Sequence, residues 1–362
     1  MVIMFKNIQQ ILFISLTVGL FTPTVSFAAS GPLLEVYNQR PDLQTSFEPS
    51  TFRAIEGTAA GFLIDLEDWA RQYGWQEHEE LAGYRPATAA VTPKGTVAPV
   101  LESMGYIVID DASGQILAAQ QAHQQWPIAS ITKLVTTKTA LEHGLDTGGV
   151  GVIEAEDDVG GSRLWVNAGT RFSVQDLLFS TLVASANNAA NAIARLTGLP
   201  KETFVIHMNN FAQSLNLTHT HFADPTGIDE HNVSTAREIA YIAQQVWQNP
   251  DIRRMSGTSR IHVEALNDVD YVRDFMNTNR LLYQSAYDDV YVTAGKTGYL
   301  DESGWNLVVR MHPMGESETK SVVVVIFGAG SRDQSCQDAH ILARWAWQNH
   351  DWSTRELSIA TE

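Results

Sequence analysis

Strand patterns occur at two widely separated places in this chain, and the long stretch between them reads as helix. Tyr106–Ile109 is a short apolar strand, Asp110–Gly114 a turn, and Gln115–Gln120 the hairpin partner. Further strand patterns come only at Tyr291–Gly298, Trp305–Met311 and Ser321–Phe327, before a helical pattern over Ala339–Asn349. Helical signals dominate from Ser130 to about Ser256. Two early strands and three late ones can share a core only by meeting in one sheet, with the helical block packed against it as a separate layer. The expected fold class is therefore α/β in composition and α+β in arrangement.

The N-terminus carries an export signal. Lys6 precedes an uncharged apolar run, Ile11 to Phe21, and Ser26-Phe27-Ala28 offers a small-x-small cleavage pattern. The run is too short to span a bilayer, so residues 1–28 read as a removable signal peptide and the mature protein as soluble and periplasmic. The single cysteine, Cys336, excludes an intramolecular disulfide and does not lie at the cleavage site, so no lipid anchor is expected. A formal charge of −17 excludes an extended basic surface for nucleic acid. Residues 29–85 form a segment of unassigned role. Within it Phe62, Leu63, Leu66, Trp69 and Ala70 recur at helical spacing over Ala59–Gly74. The small, proline-punctuated residues 86–99 read as a linker, 100–351 as the main domain and 352–362 as a tail.

Three short motifs in the main domain carry chemistry. In Ser130-Ile-Thr-Lys133 a spacing of three puts a hydroxyl and an amine on one face of a starting helix. Serine is a poor nucleophile until a neighbour takes its proton, and lysine can do so only where burial or a nearby cation lowers its pKa. Ser185-Ala-Asn187 follows a helix over Val174–Val183, opened by the capping pattern Ser173-Val-Gln-Asp176, and precedes a second helix. A hydroxyl and an amide at that junction can face a cleft. Lys296-Thr-Gly298 ends an apolar strand, where a cation and a hydroxyl suit a carboxylate and glycine admits a substrate backbone. Each motif alone is compatible with an ordinary cap or turn; their order and settings together are not. The pair His219-x-His221 lacks the further residues of a metal set, so no metal is expected.

The sequence resembles the D-alanyl-D-alanine carboxypeptidase/endopeptidase family, the low-molecular-mass penicillin-binding proteins. The likeness extends through Pro127–Leu134, Ser185–Ala190, Asp224-Pro-Thr-Gly227 with Ser234-Thr-Ala236, and Gly295–Tyr299. It implies a serine β-lactamase/DD-peptidase-like fold: a five-stranded antiparallel sheet packed with helices, plus a helical sub-domain. It further implies Ser130 as acylated nucleophile, Lys133 as its base and Ser185 as proton relay. Asn187 would orient the substrate, and Lys296 and Thr297 would bind its terminal carboxylate. Gly298 and Tyr299 would border the substrate, with the amides of Ser130 and Tyr299 as oxyanion hole. Peptidoglycan stem peptides are the implied substrates and β-lactams the implied covalent inhibitors, with no cofactor and no membrane anchor.

The chain ends soon after its last helix, which resembles the penicillin-binding protein 7 type of soluble endopeptidase. Carboxypeptidase action, β-lactamase action and an inactive peptidoglycan-binding role are the alternatives. A class A β-lactamase needs a Glu-x-x-x-Asn pair after the second motif; here Glu202 is followed four residues later by Ile206.

Overall fold

The computed structural model describes residues 91–95 and 97–352. The signal peptide, the segment 29–85 with its helical stretch, and all of the tail beyond Trp352 lie outside the described residues.

The expected strands meet in one five-stranded antiparallel sheet: β1 (Gly105–Asp110), β2 (Ile116–Gln120), β3 (Val290–Leu300), β4 (Gly304–Pro313) and β5 (Val322–Ala329). Their order across the sheet is β3-β4-β5-β1-β2, so the late strands join the early hairpin where β5 pairs with β1, Val324 opposite Val108. Both faces of the sheet are covered, which explains why β1 and β5 read as unbroken apolar runs. Alternation sends Ile107, Ile109, Val323 and Val325 into the core beneath the helical block. Tyr106, Val108, Val324 and Ile326 face the other way, onto Cys336, Ala339, Leu342 and Ala343 of the C-terminal helix.

Between the two halves of the sheet run α1 (Lys133–Glu142), α2 (Val174–Leu182), α3 (Asn187–Arg195), α4 (Lys201–Ser214), α5 (Ala236–Val246) and α6 (Pro250–Ser256); α7 (Arg332–Asn349) closes the chain. The capping pattern at α2 is realised, since Ser173 Oγ accepts from the Asp176 amide at 3.0 Å. The carboxylate of Asp157 is fully buried beside Arg195 (2.7 Å) and ties the turn before residue 158 to α3. Among the described residues no helix is long and apolar enough to cross a membrane.

The linker reading needs correction at its C-terminal end. Thr92–Pro93 pairs antiparallel with His350–Asp351, the buried Val91 amide donates to Gln115 Oε1 at 2.9 Å, and Trp345 Nε1 donates to the Val97 carbonyl at 3.0 Å. A two-residue edge pair tolerates proline because only one side of the strand needs donors. Trp352, placed by sequence in the tail, is buried against the same helix-covered side of the sheet. The domain thus takes in residues at both ends that composition had set outside it.

Candidate active site

Ser130 lies on a tight turn rather than on the first turn of an α-helix. Ala129–Thr132 is a 3₁₀ segment that feeds directly into α1. In 3₁₀ geometry side chains three apart eclipse one another, closer than on an α-helix, and Lys133 Nζ stands 2.7 Å from Ser130 Oγ. Ala129 takes a left-handed backbone (φ 50°), a strained conformation for a residue with a Cβ that aims the serine outward from the buried turn. The turn is pinned from three sides. The Ile128 amide donates to the Asn232 carbonyl (2.9 Å), Asn306 Nδ2 to the Pro127 carbonyl (2.9 Å), and Trp126 Nε1 to the Ser303 carbonyl (2.9 Å). Gly298 of β3 passes so close that a Cβ there would lie 2.6 Å from the Ile128 carbonyl and 3.3 Å from the Ser130 amide. Any side chain at 298 would push the strand off Ser130.

Lys133 is wholly buried, and burial pushes its pKa down to about 7 against the opposing pull of the Asp224 carboxylate. Besides Ser130 it meets two carbonyl oxygens, Asn187 Oδ1 at 2.7 Å and the Thr226 main chain at 2.6 Å. A neutral amine has two N–H groups and one lone pair. The two carbonyls take the N–H groups, so the lone pair is left facing the serine hydroxyl. The Thr226 carbonyl owes its position to Asp224. Asp224 Oδ1 accepts from the Thr226 and Gly227 amides (2.5 and 2.9 Å) and from Thr226 Oγ1 (2.6 Å), and Oδ2 from the Asp229 amide (2.8 Å) and Asn232 Nδ2 (2.9 Å). Burial works to raise the Asp224 pKa, but these donors hold it below the ordinary carboxylate value.

The second and third motifs converge on the same place. Ser185 adopts φ 59°, a left-handed kink between α2 and α3 that presents its hydroxyl to Lys296 Nζ at 2.8 Å. Lys296 also donates to the Thr297 carbonyl (2.8 Å). Burial first, then the charges of Lys133 and Arg332, hold its pKa well below the usual lysine range. Asn187, the first residue of α3, uses Oδ1 on Lys133 and Nδ2 on the Gly160 carbonyl (2.8 Å). Thr297 Oγ1 donates to Thr278 Oγ1 at 2.6 Å. Tyr299 is 46% exposed, with its ring 4.5 Å from that of Trp305 and its hydroxyl on Asp301.

These residues border a cleft of about 230 Å³. Ser130, Ser185, Asn187, Thr297, Gly298 and Tyr299 line it, together with Gly161, Ser162 and Ile228 on one side and Trp305 and Arg332 on another. None of the described lining residues carries a carboxylate. Lys133 and Lys296 stand behind the lining serines. Residues 92–331 match the family model described as D-alanyl-D-alanine carboxypeptidase. The chain belongs to the D-alanyl-D-alanine carboxypeptidase family. A D-alanyl-D-alanine endopeptidase of Pseudomonas aeruginosa is 32% identical over 247 residues, covering 68% of this chain and 77% of the relative. A second one, from Haemophilus influenzae, is 31% identical over 208 residues, covering 57% and 69%. The crystal structure of the Streptomyces K15 DD-transpeptidase superposes with a TM-score of 0.63 at 23% identity, covering 70% of this chain and all of that one, which shows the shared fold.

Two residues of this D-alanyl-D-alanine carboxypeptidase family member, Arg332 and Thr278, reach the site without having been singled out from sequence, and a third, Asp224, was quoted there only within a run and given no role. Arg332, at the start of α7, lines the cleft with its guanidinium 4.6 Å over the Trp305 ring; its Nε is buried without a hydrogen-bond partner among the described residues. Thr278 bridges the motifs, since its amide donates to the Val183 carbonyl (3.1 Å) while its hydroxyl meets Thr297. Asp224 shapes the loop under Lys133; its signal was the Asp-Pro-Thr-Gly run, which has the form of an Asx turn. The His219-x-His221 pair does not gather into a cluster: His219 Nδ1 meets Glu238 at 3.1 Å, and His221 pairs through its backbone with Val233. Among the described residues no group of three or more His, Cys, Asp or Glu has metal-binding geometry.

Proposed function

We propose that this chain is a penicillin-sensitive serine D,D-peptidase that cleaves D-alanyl bonds of peptidoglycan stem peptides, acting as an endopeptidase on cross-links. The observation that carries this reading is the buried Lys133 amine, which lies 2.7 Å from Ser130 Oγ and 2.7 and 2.6 Å from two carbonyls that can take both N–H groups of its neutral form. Ser130 Oγ attacks the D-alanyl carbonyl carbon while its proton passes to Lys133 Nζ. The amides of Ser130 and Tyr299 are the donors assigned to the oxyanion; the strand that carries Tyr299 runs close to Ser130, since a Cβ on the adjacent Gly298 would lie 3.3 Å from the Ser130 amide. The C–N bond then breaks, and the departing amine takes a proton through Ser185, which is bonded to Lys296. Water finally releases the shortened peptide from Ser130. Thr297 and the cationic Arg332 line one end of the cleft, with Lys296 buried behind Ser185, a set suited to the carboxylate of the departing residue. Asn187 orients the substrate's amide beside Ser130.

The absence of a carboxylate among the described lining residues favours a peptidase over a β-lactamase, because no acidic base stands ready to drive rapid deacylation. The two relatives above are both named endopeptidases, which supports that activity over carboxypeptidase action. The signal-peptide pattern of residues 1–28 supports a periplasmic site of action. Digestion of cross-linked dimeric muropeptides beside monomeric pentapeptides tests the choice. Monomers released from dimers are expected; loss of terminal D-alanine with intact dimers would make it a carboxypeptidase.

The pH dependence follows from Lys133. Its folded pKa of about 7 means that the amine is protonated, and without a free lone pair, below that value. The second-order rate of Ser130 acylation should therefore rise through neutral pH and level off above it. A rate that stays flat from acid to alkaline pH, or climbs only near the ordinary lysine pKa, would remove Lys133 as the base.

A further inference from the structure

Trp165 is the most exposed Trp, Tyr or Phe among the described residues, at 72%. A lone exposed hydrophobe needs no explanation, but this one is held in place. The Arg163 guanidinium lies 4.1 Å from the Trp165 ring centroid and is itself fixed to Asp158 at 3.0 Å. One face of the indole is thus occupied and the other is open to solvent. The loop beneath it is anchored at both ends to α3. Asp157 is gripped by Arg195 and by Asn191 Nδ2 (3.1 Å), while the amide and carbonyl of Leu164 meet the Asn188 side chain at 3.0 and 2.8 Å. Such a pre-ordered aromatic face costs little entropy to use in binding.

The loop is also a wall of the active-site cleft. Gly161 and Ser162 line it, and the Asn187 amide donates to the Ser162 carbonyl at 2.7 Å. Trp165 follows Ser162 by three residues, at most about 11 Å of extended chain. A four-residue stem peptide spans roughly 14 Å when extended, and its far end is attached to a sugar. We infer that Trp165, backed by Arg163, is a stacking platform for a pyranose ring of the glycan strand that carries the stem peptide. The inference rests on the D,D-peptidase reading for its ligand, and it adds a glycan subsite outside the catalytic cleft. The open indole face offers its π surface to the axial C–H groups of an N-acetylhexosamine, and Arg163 keeps the ring from swinging away.

The test compares wild type, Trp165→Ala and Trp165→Phe on a stem peptide with and without its disaccharide. The platform predicts that Trp165→Ala raises KM about tenfold for the disaccharide-bearing peptide only. Trp165→Phe should restore most of the loss, and the rate of Ser130 acylation by penicillin should not change. Unaltered KM values on both substrates would overturn the inference. So would an equal loss on the sugar-free peptide, which would mean that Trp165 shapes the loop rather than holds a sugar. Binding of a β-1,4-linked N-acetylglucosamine hexamer to the Ser130→Ala protein, with and without Trp165→Ala, decides the platform even if neither peptide is cleaved. Equal hexamer affinity in the two proteins would contradict it.

Discussion

Lys133→Met is expected to slow acylation of Ser130 by about two to four orders of magnitude, the range general bases contribute, while the protein stays folded. Methionine fills a similar volume without a charge, so the substitution removes the proton acceptor and leaves the packing of α1 in place. Two carbonyls lose their donors, Asn187 Oδ1 and the Thr226 main chain, at a cost of about 1–3 kcal/mol each if no other donor replaces Lys133. Loss of an amine that burial already disfavours in its charged form offsets part of that cost. Lys133→Arg serves as the companion: a guanidinium stays protonated at every accessible pH, so it restores charge and donors without restoring a base. Both variants should be slow. Stopped-flow acylation by a chromogenic β-lactam, with thermal unfolding as the folding control, checks this. Either variant acylating within tenfold of wild type would show that another group takes the serine proton.

Gly227→Ala is expected to be the most damaging single-methyl change in the domain. Gly227 has φ +79°, and a Cβ there would lie 1.9 Å from the Ala129 carbonyl oxygen, 2.4 Å from its carbon and 2.9 Å from Thr132 Oγ1. The left-handed conformation alone costs about 1 kcal/mol with a Cβ. The overlap is with backbone of the turn that carries Ser130 and cannot be relieved by a rotamer change. The loop must therefore separate from the turn, taking the Thr226 carbonyl away from Lys133. A loss of about 3 kcal/mol, or roughly 6–12 °C in Tm, is expected together with more than a hundredfold slower acylation. Gly315→Ala is the control. It shares a positive φ (+77°) but meets nothing within 4 Å, so only the conformational cost of about 1 kcal/mol should appear. Equal effects at the two sites would show that the close approach at Gly227 does not hold the site together.

What could be read from sequence follows the range of the forces involved. β1 and β5 were visible because both faces of each strand are buried, and a run such as Val322–Phe327 has no other economical fold. The N-cap of α2 was visible because Ser173 and Asp176 are three residues apart and act locally. The meeting of Ser130, Ser185 and Lys296 could be anticipated only from the joint order of three motifs, since each contact bridges more than fifty residues. Arg332 left no trace in its own neighbourhood. It reaches the cleft because α7 starts where β5 ends, beside the Trp305 ring. The pairing of Thr92–Pro93 with His350–Asp351 was likewise hidden, as two-residue strands carry no periodicity to detect. Even the tight 3₁₀ turn at Ser130 was read as ordinary helix, although it is what shortens the distance to Lys133.

Ser130 is expected to form a covalent acyl-enzyme. Intact-protein and peptide mass spectrometry after incubation with benzylpenicillin tests it most directly. One stable penicilloyl adduct per chain is expected, mapped to the peptide containing Ser130 and missing from Ser130→Ala. An adduct that persists in Ser130→Ala, or no adduct on a folded wild-type protein, would contradict it.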